Sequence, residues 1–119
     1  MRVVTLGEIM LRLTPPGVLR LGQAESFEVQ YGGAEANVAV ALANFGEETS
    51  FVSAVPANAV GQAAIDSLRR RGVDTRFVLR GGSRLGIYFL ERGVSQRAGG
   101  VVYDRADSAF ACSEASQYD

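Results

Sequence analysis

Residues 31–46 read YGGAEANVAVALANFG, and this stretch fixes the first strand-to-helix junction of the chain. Two adjacent glycines, Gly32 and Gly33, close an alternating segment and open an alanine-rich run. Within that run Ala34, Val38, Leu42 and Phe45 share one stripe at helical spacing. The pattern predicts a helix from about Ala34 to Phe45, with Glu35 complementing its positive end and Gly46 stopping it. Upstream, SFEVQYGG sets Phe27, Val29 and Tyr31 on one side and Glu28 and Gln30 on the other, as a strand does. IMLRLTPPG alternates in the same way until Pro15, Pro16 and Gly17 end it. These two segments are expected to pair as an antiparallel flap. The opening RVVTLGE reads as a buried central strand.

Downstream, TSFVSAVP is a second buried strand. Asn58 is placed to cap a helix from about Ala59 to Arg71, with Ile65 and Leu68 facing inward and Gly72 ending it. VDTRFVLR is a weaker third strand. RLGIYFLE and GVVYDR alternate around a glycine-containing loop and read as a hairpin; the last residues are expected to begin another helix. Strand, helix, strand, helix argues for an α/β layered fold with a largely parallel sheet. Such sheets need both faces covered, and two clear central strands in 119 residues read as the front part of a larger domain.

Composition removes several chemistries. The chain has no histidine, so triads and zinc sites built on histidine are excluded within it. The single cysteine, Cys112, forms no internal disulfide and reads as a small, semi-buried side chain in a reducing cytoplasm. A net charge of -1 favours neither nucleic acid nor an anionic membrane. The N-terminal apolar run is too short for a signal peptide and is broken by Glu8 and Arg12. Asp104 with Asp107, and Glu47 with Glu48, read as solvated carboxylates without a perturbing neighbour. No metal ligand set and no catalytic base is expected.

Two places carry recognition chemistry. Gly32-Gly33 is either a tight turn or a point where a ligand approaches the backbone beside unpaired helix N–H groups. Asn37 is either solvated or a donor and acceptor for a pair of hydroxyls. In the hairpin, if Tyr88 lies opposite Tyr103, then Gly86 faces Arg105, Leu90 faces Val101, and all share one face. Two phenols and a guanidinium on one face suit a sugar and a carboxylate, or a half-exposed sheet surface. Neither a dinucleotide fingerprint nor a Walker loop is present.

GGAEANVAVALANFG resembles the N-terminal signature of the PfkB (ribokinase-like) carbohydrate kinases, with Gly32, Gly33, Asn37, Ala39 and Gly46 at its positions. That signature has a further glycine where this chain has Pro56. VVTLGEIMLRLTPP, YGGAEANVAVAL, LGIYFLERGVSQR and VVYDRADSA are similar to the 2-keto-3-deoxygluconate kinase branch. The resemblance implies a ribokinase-like fold, residues 1–119 being the N-terminal portion, with lid strands at about 9–14, 27–31, 86–91 and 100–105. It implies transfer of the ATP γ-phosphoryl group to a sugar acid held by Gly33, Tyr88, Tyr103 and Arg105, with Asn37 from the broader family pattern. ATP and Mg2+ would be held by a C-terminal half with a Gly-Ala-Gly-Asp motif that these residues lack, so this chain alone would be inactive. A homodimer or higher assembly through the lid strands is also implied. The alternatives are a fructokinase- or ribokinase-type enzyme, or a non-catalytic sugar-binding or dimerising module.

Overall fold

A computed structural model describes residues 2–118. In chain order the elements are β1 (Arg2–Leu6), β2 (Met10–Thr14), β3 (Glu28–Gly32), α1 (Ala34–Asn44), β4 (Glu48–Val52), β5 (Ala54–Val55), α2 (Ala59–Arg70), β6 (Leu79–Arg80), β7 (Ile87–Glu91) and β8 (Gly100–Asp104), with 3-10 turns at Leu21–Gln23 and Ala115–Tyr118. No helix among the described residues is long and apolar enough to cross a membrane.

Both helices end where their glycines allow it. Gly46 (φ 86°) and Gly72 (φ 84°) take the left-handed conformation. The N–H groups of Gly46 and Glu47 return to Ala43 and Leu42, and those of Gly72 and Val73 to Arg69 and Leu68, the paired closure of a Schellman motif. At the other end of α2 the Asn58 side chain accepts the Gly61 N–H at 2.9 Å. Asn58→Ala is expected to destabilise the fold by about 1 kcal/mol, read as a lowered denaturant midpoint at unchanged slope.

The core joins Ile9, Phe51, Val55, Ile65, Leu68 and Leu85 to the small inner face of α1. That face is Ala36 and Ala39, flanked by Val40 and Ala43, and not the expected stripe. Val38 is half-exposed and Phe45 is 83% exposed. Alanines let α1 lie close against β1 and β4, so the bulkier residues turn outward.

β1 and β4 pair in parallel, Val4 beside Ser50 and Leu6 beside Val52. β1 was expected to be buried, and among the described residues only one of its faces is covered. Thr5 faces α1, its hydroxyl donating to the Glu35 carbonyl at 3.2 Å, while Val4 (59%) and Leu6 (53%) face outward and stay exposed. The third strand is also shorter than expected. The Asp74 carboxylate accepts the Arg76 backbone N–H at 3.0 Å, and the Val78 N–H returns to Thr75 at 3.0 Å. The segment therefore makes one isolated parallel bridge, Asp74 to Ser50, turns through 75–78, and forms a strand only at Leu79–Arg80, in parallel with β5.

The remaining strands form one four-stranded sheet, ordered β3-β2-β7-β8. β2 and β3 are antiparallel, as expected of the flap. The hairpin β7–β8 has the expected register, with Tyr88 opposite Tyr103 and Leu90 opposite Val101. β2 and β7 join the two pairs in parallel, which sets Arg12 beside Tyr88. Arginines clamp the connections around this sheet: Arg92 donates to the carbonyls of Pro15 and Gly17, both at 3.1 Å, and Arg97 to that of Val18 at 2.7 Å. Cys112, expected to be semi-buried, is exposed. The chain's last described turn is 3-10, with Tyr118 donating to Ser113 at 2.7 Å.

Candidate sugar site

The turn from β3 into α1 and the ends of β2, β7 and β8 enclose a cleft of about 370 Å³. Gly33, Asn37, Tyr88, Tyr103 and Arg105, the five residues singled out in the sequence, all line it. Glu8, Met10, Ala34 and Glu35 complete the wall.

Each side chain is there for a local reason. Sheet alternation puts Tyr88 and Tyr103 on one face, their ring centroids 5.8 Å apart and inclined by 34°. Arg105 follows at the next same-face position, its guanidinium carbon 4.8 Å from the Tyr103 ring centroid, within cation–π range. Just before it, the Arg84 guanidinium donates to the Asp104 carboxylate at 2.9 Å and to the Asp104 carbonyl at 2.8 Å. Those bonds anchor the end of β8 and hold the Asp104 carboxyl below the usual carboxylate range. Asp104 therefore does have a perturbing neighbour, contrary to the sequence reading. Asn37 enters from the first turn of α1, its backbone N–H bonded to the Gly33 carbonyl at 2.8 Å.

Glycine is required by close approach at two positions. A Cβ on Gly33 would lie 2.3 Å from the Glu8 carbonyl oxygen. A Cβ on Gly86 would lie 2.6 Å from Glu8 Oε2 and 2.9 Å from the Arg105 Cβ. The room that Gly86 was expected to leave for Arg105 is thus shared with Glu8.

The polar groups of the cleft are largely free to bind. Among the described residues the hydroxyls of Tyr88 and Tyr103 and the Asn37 amide have no side-chain hydrogen-bond partner. Arg105 makes only long contacts, 3.9 Å from Nη1 to Glu8 Oε1 and 4.0 Å to Met10 Sδ. Together these groups offer a planar cation, two amphipathic rings, an amide and the N-terminal turn of a helix, a set matched to a hydroxylated carboxylate.

Sequence reasoning missed Glu8 as a wall residue, treating it only as a break in an apolar run. The available signal was its place just beyond the C-terminal end of a parallel strand, where α/β sheets gather ligands. Glu35 was read only for its effect on the helix. Among the described residues no group of three or more His, Cys, Asp or Glu side chains converges to hold a metal ion. The described residues therefore supply no converging carboxylate set for Mg2+.

The sequence profile described as pfkB family carbohydrate kinase matches residues 1–118. The crystal structure of a 2-dehydro-3-deoxygluconokinase from Thermotoga maritima superposes with a TM-score of 0.98 at 55% identity, covering 100% of this chain and 36% of that one. A 2-dehydro-3-deoxygalactonokinase from Haloferax volcanii is 39% identical over 107 residues, 90% of this chain and 34% of its own length. A sugar kinase from Pyrococcus horikoshii, crystallised in complex with ATP, gives a TM-score of 0.87 at 27% identity over 98% of this chain and 38% of that one. The chain thus spans about a third of the length of the relatives it matches.

Proposed function

The chain belongs to the pfkB family of carbohydrate kinases, and on that footing we propose that it forms the sugar-side wall of an ATP-dependent kinase acting on a 2-keto-3-deoxy sugar acid. The observation that carries this reading is the convergence of Gly33, Asn37, Tyr88, Tyr103 and Arg105 on one cleft, with the guanidinium short of any close carboxylate partner. Arg105 takes the substrate carboxylate, the tyrosines cover the carbon chain, and Asn37 with the backbone at Gly33 takes hydroxyls. Two of the three relatives named above are named for sugar acids that differ as gluconate does from galactonate, so the reading extends to the class and not to one epimer.

Phosphoryl transfer needs positioned phosphates, a metal and a group that orients the nucleophile. We assign those parts to the remainder of the whole protein, and residues 1–119 alone are expected to be inactive. The four-stranded sheet acts as the lid, closing over the sugar to keep water from the transferred phosphoryl group. Its face away from the cleft carries Leu13, Val29, Phe89 and Val102 in one row, with Val29 and Val102 exposed. We assign that apolar row to a homodimer contact, and the assembly to the cytoplasm.

The test is phosphorylation by the whole protein with Mg-ATP, comparing 2-keto-3-deoxygluconate with fructose and ribose. A charged hydrogen-bonded pair to the carboxylate predicts kcat/KM higher for the acid by about tenfold to a hundredfold. An enzyme that prefers fructose or ribose belongs to another branch of the family, and absence of turnover on all three removes the kinase assignment.

A further inference from the structure

Glu8 is the least comfortable group in the cleft. Its side chain is only 13% exposed, and Oε2 is buried without a hydrogen-bond partner among the described residues. A buried carboxylate oxygen left unsatisfied is costly, and native structures rarely keep one without use. The chain also makes room for it, since a Cβ on Gly86 would lie 2.6 Å from that oxygen. The carboxylate is boxed in and has little freedom to swing away.

Its other oxygen faces Arg105. Both weak polar contacts of that guanidinium, to Glu8 Oε1 at 3.9 Å and to Met10 Sδ at 4.0 Å, fall on Nη1. Among the described residues the Nε and Nη2 edge has no partner, and it is one of the two edges that engage a carboxylate with two parallel hydrogen bonds. Tyr103 lies under the guanidinium plane. Arg105 is therefore held by charge on one side and by a ring below, with its two-donor edge unspent. A closer pair would have neutralised it; no pair would leave a side chain that is half exposed free among its rotamers.

We propose that Glu8 is a positioning residue for Arg105, and that it sets the preference of the site for substrates carrying a carboxylate over neutral sugars. The inference rests on the sugar-acid reading above for its ligand. Among the described residues Glu35 is the other carboxylate of the wall and Arg105 its one cation, so this wall offers an anionic substrate a single end at which its charge is accommodated. Glu8, beside that end, fixes which edge of Arg105 receives it.

The experiment uses the whole protein and the variants Glu8→Gln, Glu8→Asp and Arg105→Ala, with Glu8→Gln also combined with Arg105→Ala. Binding is measured for 2-keto-3-deoxygluconate and for its counterpart with the carboxylate reduced to an alcohol. The Arg105 Nε–Hε NMR resonance is followed in ligand-free protein. Glu8→Gln is expected to weaken binding of the acid about tenfold, the cost of ordering a freed Arg105 outweighing the relief of repulsion between two carboxylates, and to leave the alcohol within about twofold. On the Arg105→Ala background Glu8→Gln should cause no further loss, because the two act as a unit. Glu8→Asp should recover part of the affinity, and the Arg105 resonance should move or broaden in Glu8→Gln. Equal losses for acid and alcohol, additive losses in the double variant, or an unmoved resonance would each overturn the proposal. If wild-type protein binds no sugar acid, the functional reading falls, and the resonance still decides whether Glu8 positions Arg105.

Discussion

In the whole protein, Arg105→Ala is expected to weaken binding of a 2-keto-3-deoxy sugar acid by about tenfold to a hundredfold, the loss of one charged hydrogen-bonded pair. The neutral alcohol counterpart should lose little, because the tyrosines and Asn37 remain. Stability should change by no more than about 1 kcal/mol, as for a long, half-exposed ion pair. Arg105 is half exposed and its nearest polar neighbours lie 3.9 and 4.0 Å away, so the fold does not lean on it. Titration calorimetry on the two ligands separates these effects. Unchanged affinity for the acid would remove Arg105 from the site.

Gly33→Ala should damage both binding and stability. Its φ of 163° is extended backbone open to any residue, so the obstacle is steric and not conformational. A Cβ there would sit 2.3 Å from the Glu8 carbonyl oxygen, backbone against backbone. No side chain can rotate to relieve that contact. Either the turn into α1 opens or the segment after β1 shifts, and overpacking of this kind costs about 1–3 kcal/mol. Asn37 and the first N–H groups of α1 move with the turn, so affinity for the acid should fall even where the variant folds. Gly33→Ser should behave alike, since both residues add the same Cβ. A melting temperature equal to wild type in the whole protein would show that the turn yields without strain.

The elements set by local chemistry were legible in the sequence. Gly46 and Gly72 stop their helices because no side chain competes for a left-handed φ, and Asn58 caps because its side-chain oxygen reaches the Gly61 N–H. Alternation made the shared face of each hairpin strand legible, whereas the direct pairing of Tyr88 with Tyr103 was only assumed and came from the structure. What depended on distant neighbours was not legible. α1 is apolar nearly all round, so periodicity alone did not decide between the stripe of Val38 and Phe45 and the alanine face that packs. The exposure of Val4 and Leu6 depends on what lies across β1, which no local pattern records. The parallel pairing of β2 with β7 joins segments about 75 residues apart. The place of Glu8 just past β1 was a legible signal, but its close packing against Gly33 and Gly86 appears only on folding. The cleft residues with evident recognition chemistry were therefore easier to find than Glu8, which lines the same cleft.

The account turns on a single location, and a crystal structure of the whole protein with 2-keto-3-deoxygluconate tests it most directly. The predicted result is a carboxylate on the Nε and Nη2 edge of Arg105, a carbon chain against Tyr88 and Tyr103, and hydroxyls within hydrogen-bond distance of Asn37 and the backbone at Gly33. A sugar acid bound elsewhere, or bound in this cleft with its carboxylate away from Arg105, would contradict it.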